Sequence, residues 1–428
     1  MHHFTYREGA LHAEDVPVTE IVAAAGSPVY IYSLATVRRH YALYAAAAVR
    51  AAGSPERAQI FYAMKANASI AVLEALAALG SGADVVSEGE IRKAMRAGIP
   101  AAKIVFSGVG KTDAELAHAV DVGLHQVNVE TEGELEALNR VAAQKGRRQA
   151  AVIRVNPDIG AGGHSKITTG SDANKFGVSF VEAERLYARA ANMEGIAIKG
   201  LAVHIGSLID DLADLQAAFR RMREVTEQIR GTGLAVERLD LGGGLGIPYQ
   251  IPKDFAKGPE LIDAYAEMVA RETAGLDVEL GFEPGRIIVG NAGIMVTRAL
   301  YINQRQSKRF LVVDAAMNDL VRPAMYDAYH EVWPVAEPAD DAATTVYDVV
   351  GPICESGDTF AVGRAMPVVK PGDLIAFMTA GAYGASMAST YNLRPLIAEV
   401  VVDGGRFAIT RERQTYDDLI GLDRSPGW

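Results

Sequence analysis

Eight short stretches rich in β-branched residues, most of them followed by an alanine-rich helical stretch, fill the first two-thirds of this chain. The first reads Ile60-Phe61-Tyr62-Ala63-Met64-Lys65-Ala66-Asn67, and the others cover 82–86, 104–107, 126–129, 151–156, 200–204, 238–241 and 279–283. Parallel strands need a crossover between them, so strand-then-helix repetition argues for a parallel sheet. Eight such units can close into a TIM-like α/β barrel, in which chemistry sits where the strands end. The strand ends here carry Lys65, Asp84, His204, a triple glycine and Glu283. An amine, two carboxyls and an imidazole are therefore expected around one opening.

The intervening helices carry their own signals. Ile70, Leu73, Leu76 and Leu79 recur at helical spacing behind Ser69, a plausible N-cap. Thr112-Asp113-Ala114-Glu115 is a capping-box pattern. Further helices are expected over 131–144, 181–193, 212–230 and 261–273. The polar, glycine-rich segment 158–177 is expected to form an ordered loop above the barrel mouth. After Gly290 the rhythm changes. Strand-like runs at 310–313, 345–350, 374–377 and 398–402 are separated by turns, which indicates a second, β-rich domain of sandwich or barrel-like form. Residues 333–343 are expected to be an exposed loop. The extended run Pro28-Val29-Tyr30-Ile31-Tyr32 can join the second sheet. The expected divisions are therefore 1–35 joining the β domain, 36–290 forming the barrel and 291–428 forming the β-rich domain.

Composition narrows the function classes. With 428 residues and 49% hydrophobic content, the chain can bury two cores. Its net charge is −11 and no basic cluster stands out, so nucleic acid and anionic membrane are poor partners. A lone cysteine, Cys354, excludes an intramolecular disulfide and suits a reducing cytoplasm. The start of the chain soon reaches Glu14 and Asp15, unlike a signal peptide. Residues 374–392 carry no charge, but Gly, Ser, Thr, Tyr and Asn crowd them, so they read as buried sheet and loop and not as a span. No metal is called for.

A strand-end lysine either snorkels from the rim or holds an aldehyde covalently in a dry, rigid place. Its neighbours favour the second role. Leu241-Gly242-Gly243-Gly244-Leu245-Gly246 follows the seventh strand, where barrel enzymes commonly bind phosphate. His204-Ile205-Gly206-Ser207 offers an imidazole face and a hydroxyl; taken alone, His204 reads slightly better as a barrel-mouth histidine satisfied by backbone. Glu283 can keep a pyridine nitrogen protonated, which makes the ring an electron sink; the plain alternative is an ion pair with Arg286. Arg286 can also grip a carboxylate bidentately, and Arg322 with Tyr326 can clamp another, although for Arg322 a merely exposed arginine is the default. Tyr383 can donate to a phosphate or simply pack. Cys354 lies in Gly351-Pro352-Ile353-Cys354-Glu355; a solitary cysteine is usually inert and buried, and flanking glycine, proline and acid raise the case for a reactive thiol. These residues are what a pyridoxal 5′-phosphate enzyme needs.

Taken together, these strings resemble the fold-type III pyridoxal-phosphate decarboxylases. The motifs are Phe61-Tyr62-Ala63-Met64-Lys65-Ala66-Asn67, His204-Ile205-Gly206-Ser207, the glycine run extended through Ile247-Pro248-Tyr249, Glu283-Pro284-Gly285-Arg286, Gly351-Pro352-Ile353-Cys354-Glu355, and Gly381-Ala382-Tyr383-Gly384 followed by Tyr391-Asn392. They occur in family order across nearly the whole chain. The resemblance is closest to the branch that converts meso-2,6-diaminopimelate to L-lysine and carbon dioxide, the last step of bacterial lysine synthesis. It implies that Lys65 forms the Schiff base, His204 stacks on the ring, Asp84 lies near the cofactor and Glu283 binds the ring nitrogen. Ser207, Gly243, Gly244, Gly285, Arg286 and Tyr383 would surround the phosphate. Arg286, Arg322, Tyr326, Glu355 and Tyr383 would contact substrate, and Cys354 would donate a proton. It also implies a cytoplasmic homodimer whose sites are shared between chains. One departure stands out: Leu208 occupies a position where the family usually has glutamine. Related enzymes acting on ornithine, arginine or carboxynorspermidine, and a partner-binding homologue without activity, are the competing readings. Alanine racemase-like enzymes place arginine at the ring nitrogen, where this chain has Glu283.

Overall fold

The computed structural model describes residues 2–158, 175–250 and 258–428. The expected loop at 158–177 lies mostly outside the described residues. The chain forms two compact units. One spans His40–Ile247 and resumes at Ala256–Ile288; the other comprises Met1–Arg39 and Val289–Trp428, with a short excursion beginning at Pro248.

The first unit is a closed barrel of eight parallel strands: Ala58–Ala63, Gly82–Val85, Ile104–Phe106, Gln126–Val129, Gln149–Val155, Ile196–Val203, Arg238–Asp240 and Glu279–Phe282. Closure comes from pairing the last strand with the first, Leu280 opposite Ala58 and Phe282 opposite Ile60. All eight expected strands are present. Close backbone approach is built in at Gly200, where a Cβ would lie 1.9 Å from the Arg238 carbonyl oxygen of the adjacent strand.

The crossover helices follow the sequence signals with three differences. Thr112 caps Asp113–Val122 through the expected reciprocal box. The first crossover, Ile70–Ala78, buries Val72, Leu73 and Leu76, whereas Leu79 is 42% exposed. Leu79 falls beyond the last helical turn, where Gly80 adopts a φ of 87° and redirects the chain to the next strand. Ser69 makes no side-chain cap; its N–H donates to the Asn67 side chain at 2.9 Å. The helix Glu88–Arg96 is not among those expected, because only Ile91 and Ala94 are buried along a polar sequence. Its start is nevertheless legible, since Ser87 Oγ accepts the Glu90 N–H.

The second unit is built around a nine-stranded mixed sheet. Val29–Ser33 occupies its centre, antiparallel to Gly293–Gln304 and parallel to Ala398–Asp403. Alternate residues Val29, Ile31, Ile294, Val296, Val400 and Val402 point to one face and form the core with Phe4, Leu11 and Ile21 from the N-terminal segment. The expected loop at 333–343 begins otherwise. Val332–Pro334 is a strand paired with Leu374–Phe377, because Val332 and Val335 are apolar enough to be buried there. Residues 374–392 contain that strand followed by turns. Among the described residues, no helix is long and apolar enough to cross a membrane.

Candidate active site

The strand ends of the barrel bring Lys65, Ser107, Asn128, Arg154, His204 and Glu283 around one cavity. Lys65 sits on a single 3-10 turn, Met64–Ala66, which follows the first strand directly. That turn is tied down on both sides. Ala63 N–H donates to the Pro284 carbonyl at 3.0 Å, and Tyr62 Oη donates to the Asn67 carbonyl at 2.9 Å. Lys65 Nζ donates to Asp84 Oδ2 at 2.5 Å. Asp84 is paired in register with Ala63 on the neighbouring strand and is fully buried.

Glu283 directly follows the eighth strand, which pairs with the strand that leads to Lys65. Burial pushes its carboxyl well above the ordinary range, and Asp240 and Asp84 push it further. Asp240 is also raised, by burial first. Its two oxygens, however, accept the Gly242 N–H at 3.1 Å and Gln126 Nε2 at 3.2 Å. Those donors favour the anion at Asp240, so the proton belongs on Glu283. An amide relay completes the wall. Gln126 Nε2 donates to Asn128 Oδ1 at 2.9 Å, and Asn128 Nδ2 donates to Ser107 Oγ at 3.0 Å and to Glu283 Oε1 at 3.3 Å.

His204 presents a neutral ring. Burial lowers its pKa well below the ordinary value, and Arg154 and Lys65 add to the effect. Gly243 N–H donates to its Nδ1 at 3.2 Å, so the ring proton resides on Nε2. Arg154 is fixed by Glu130, with Nη1 to Oε1 at 2.8 Å, and its guanidinium lies 4.9 Å over the Phe176 ring.

The glycine run is required by its neighbours. A Cβ at Gly243 would lie 2.1 Å from the Glu283 carbonyl oxygen. Gly244 adopts a φ of 116°, and its carbonyl accepts the Ile209 N–H at 3.0 Å. Two strand-end loops are thereby stitched together beside Ser207. Arg286 Nε and Nη2 donate to Ser207 Oγ at 3.3 and 3.1 Å, and Gly285 rests against the Ala63 and Ala66 methyls. Leu208, next to Ile209 in the first of these loops, adopts the left-handed region with a φ of 63°.

Pyridoxal phosphate fits this donor set. The amine, the proton-bearing carboxyl and a flat neutral imidazole line one cavity, and the glycine loops lie beside a hydroxyl and a guanidinium. Asp84 Oδ1 is buried without a hydrogen-bond partner among the described residues, as expected beside a site built for a polar guest.

The remaining sequence-selected residues belong to the second unit. Arg322 and Tyr326 bound the short helix Arg322–Tyr326, with Arg322 buried. Tyr383 lies in a tight turn with a φ of 56°. Cys354 and Glu355 are exposed, and Tyr391 Oη donates to Glu355 Oε2 at 3.1 Å. Their turn is held from inside by buried Asp358, which accepts the Met317 and Ile353 N–H groups at 2.7 Å each.

Sequence reasoning missed Gln126, Asn128, Arg154, Asp240 and Asp358. For Gln126 and Asn128 a signal existed: two polar residues two apart on a strand of an otherwise apolar barrel share one face and must point inward together or outward together.

Residues 34–290 match the family model described as the pyridoxal-binding domain of pyridoxal-dependent decarboxylases. The chain is 44% identical over 425 residues to a diaminopimelate decarboxylase of Zymomonas mobilis, covering 99% of both chains. A second relative of the same name, from Pseudomonas aeruginosa, is 44% identical over 97% of both. Among solved structures, diaminopimelate decarboxylase from M. jannaschii in complex with L-lysine superposes with a TM-score of 0.91 at 33% identity, covering 99% of this chain and 98% of that one. The Helicobacter pylori enzyme, also solved with L-lysine, gives 0.88 at 35% identity over 95% and 98%. A barrel with a lysine, a proton-bearing glutamate and a glycine-run loop at its strand ends thus accords with full-length similarity, and the chain belongs to the diaminopimelate decarboxylase family of pyridoxal-dependent decarboxylases.

Proposed function

We propose that this chain holds pyridoxal 5′-phosphate in its barrel and removes one carboxylate from meso-2,6-diaminopimelate, giving L-lysine and carbon dioxide. The observation that carries the reading is a lysine amine held 2.5 Å from a buried aspartate in the same barrel mouth as a raised glutamate. When bound, the cofactor supplies an aldehyde for reversible attachment of amines and a ring that withdraws electrons when its nitrogen is protonated.

The protein's own residues do the rest. Lys65 is the tether, and Asp84 holds its amine in place. Glu283 keeps a proton at the ring nitrogen, and its burial makes that proton hard to lose to water. His204 offers a neutral imidazole face, which fits a cationic ring better than an imidazolium would. Ser207, Gly243, Gly244, Gly285, Arg286 and Tyr383 bind phosphate. Cys354 Sγ returns a proton to the substrate carbon after carbon dioxide leaves. Glu355 pairs with the distal ammonium of the substrate, while Arg286, Arg322 and Tyr326 read the distal carboxylate. The working form is a cytoplasmic homodimer in which Cys354 and Glu355 serve the partner's barrel.

The test combines spectroscopy with a substrate panel. Purified protein loaded with the coenzyme should show an absorbance band that borohydride bleaches, leaving the label on Lys65, and Lys65→Ala should show neither. Turnover should favour meso-diaminopimelate over ornithine and arginine. A colourless protein in the presence of excess coenzyme, or a preference for ornithine, would overturn the reading.

A further inference from the structure

Arg322 is held by an acceptor that carries no charge. His330 is fully buried, and its Nδ1 lies 2.9 Å from the Met378 carbonyl oxygen. A carbonyl can only accept, so Nδ1 carries the ring proton. The other nitrogen, Nε2, lies 2.9 Å from Arg322 Nη1. A guanidinium can only donate, so Nε2 supplies a lone pair. These two contacts require a neutral imidazole in one tautomer. They also mean that this contact orients Arg322 without cancelling its positive charge. A carboxylate in the same place would accept the same N–H but would compete with any anion that Arg322 is to bind.

The histidine is itself rigidly placed. Its carbonyl accepts Arg364 Nη1 at 2.8 Å, and Met378 N–H donates to the carbonyl of adjacent Glu331 at 2.9 Å. Tyr249 packs edge-on to the imidazole, with ring centroids 5.5 Å apart at 85°, and the Arg322 guanidinium lies 4.5 Å over the same tyrosine ring. Arg322 thus has an acceptor beside it and an aromatic face beneath it, an arrangement that fixes the plane of its fork.

We infer that His330 is a positioning residue that aims Arg322 at the distal carboxylate and thereby sets the preference for ligands bearing that group. The inference rests on the role proposed for Arg322. It predicts selectivity loss in place of general damage. L-lysine, which retains the distal carboxylate, is compared as an inhibitor of the loaded enzyme with 1,5-diaminopentane, which lacks it. His330→Phe should weaken L-lysine by about tenfold or more and leave 1,5-diaminopentane within about twofold. KM for meso-diaminopimelate should rise more than kcat falls. His330→Gln, whose amide can donate to Met378 and accept from Arg322, should restore most of the selectivity. If the phenylalanine variant does not fold, His330→Asn, whose shorter amide reaches one partner only, should show the same selective loss. In an Arg322→Ala background, changing His330 should add nothing. Equal weakening of both inhibitors by His330→Phe, or by His330→Asn in its place, or of neither, overturns the inference. If Arg322→Ala itself spares L-lysine, it is the assignment of Arg322 that fails.

Discussion

Glu283 and Asp240 show how neighbouring carboxyls are given different protonation states by their hydrogen-bond partners. Both are buried, yet Asp240 accepts two N–H donors at 3.1 and 3.2 Å, whereas Glu283 accepts the more distant Asn128 amide at 3.3 Å. The folded-state pKa of Glu283 is raised, so its favourable contribution is complete below the ordinary glutamate pKa. That contribution is lost as pH rises toward the folded value. Glu283→Gln should therefore raise the melting temperature of coenzyme-free protein relative to the parent, by a margin that grows from pH 5 to pH 9, about the range that brackets such shifts. The same change should lower kcat of the loaded enzyme by about a hundredfold or more, because an amide cannot hold the ring nitrogen cationic. A margin that shrinks with pH would contradict the assigned direction. The sequence made Glu283 legible through its position at a strand end. It did not reveal Asp240, because an aspartate before a glycine run reads equally well as a turn residue.

At the scale of elements, the glycine-run loop has a structural task besides the phosphate binding proposed for it. Gly243 sits where a side chain would collide with the Glu283 backbone, and the Glu283 N–H in turn donates to the Gly242 carbonyl at 2.8 Å. The seventh and eighth strand-end loops are therefore one mechanical unit. Gly243→Ala should displace both, weakening coenzyme affinity about tenfold or more and lowering stability by about 1–3 kcal/mol. Gly405→Ala, in a hairpin turn where an added methyl would meet no heavy atom within 4 Å, serves as the control and should change stability by less than about 0.5 kcal/mol. Titrating coenzyme-free protein by absorbance and measuring its melting temperature checks both. The barrel elements were legible because strand and helix periodicities alternate cleanly. Glu88–Arg96 was hidden by its polarity, and Val332–Pro334 by its proline and short length. The twelve-residue strand Gly293–Gln304, which pairs with three partners, has no simple alternation because its neighbours differ along its length.

For the whole molecule, the exposure of Cys354 poses a chemical problem for the proton-donor role proposed for it. A thiol that delivers a proton to one face of a reacting carbon must work where bulk water is excluded, or water would compete for the same site. Cys354 and Glu355 are exposed on a turn, and nearby Tyr391 and Leu393 are 46% and 62% exposed. Closed point-group symmetry gives a dimer two equivalent copies of such a surface, so each turn can be covered by the other chain while serving its barrel. The prediction is complementation between two dead variants. Lys65→Ala and Cys354→Ala chains carry different affinity tags, are co-expressed, and are purified in tandem so that every dimer is mixed. In the shared arrangement one site combines the intact lysine of one chain with the intact cysteine of the other, and the second site lacks both. Mixed dimers should then turn over at about half the parental rate per dimer, while each variant alone stays silent. If each site were built within one chain, every site in the mixed dimer would lack one of the two residues and no turnover would return. Sodium dodecyl sulfate electrophoresis of the tandem-purified material verifies that both tags are present, so silence cannot be mistaken for failure to assemble.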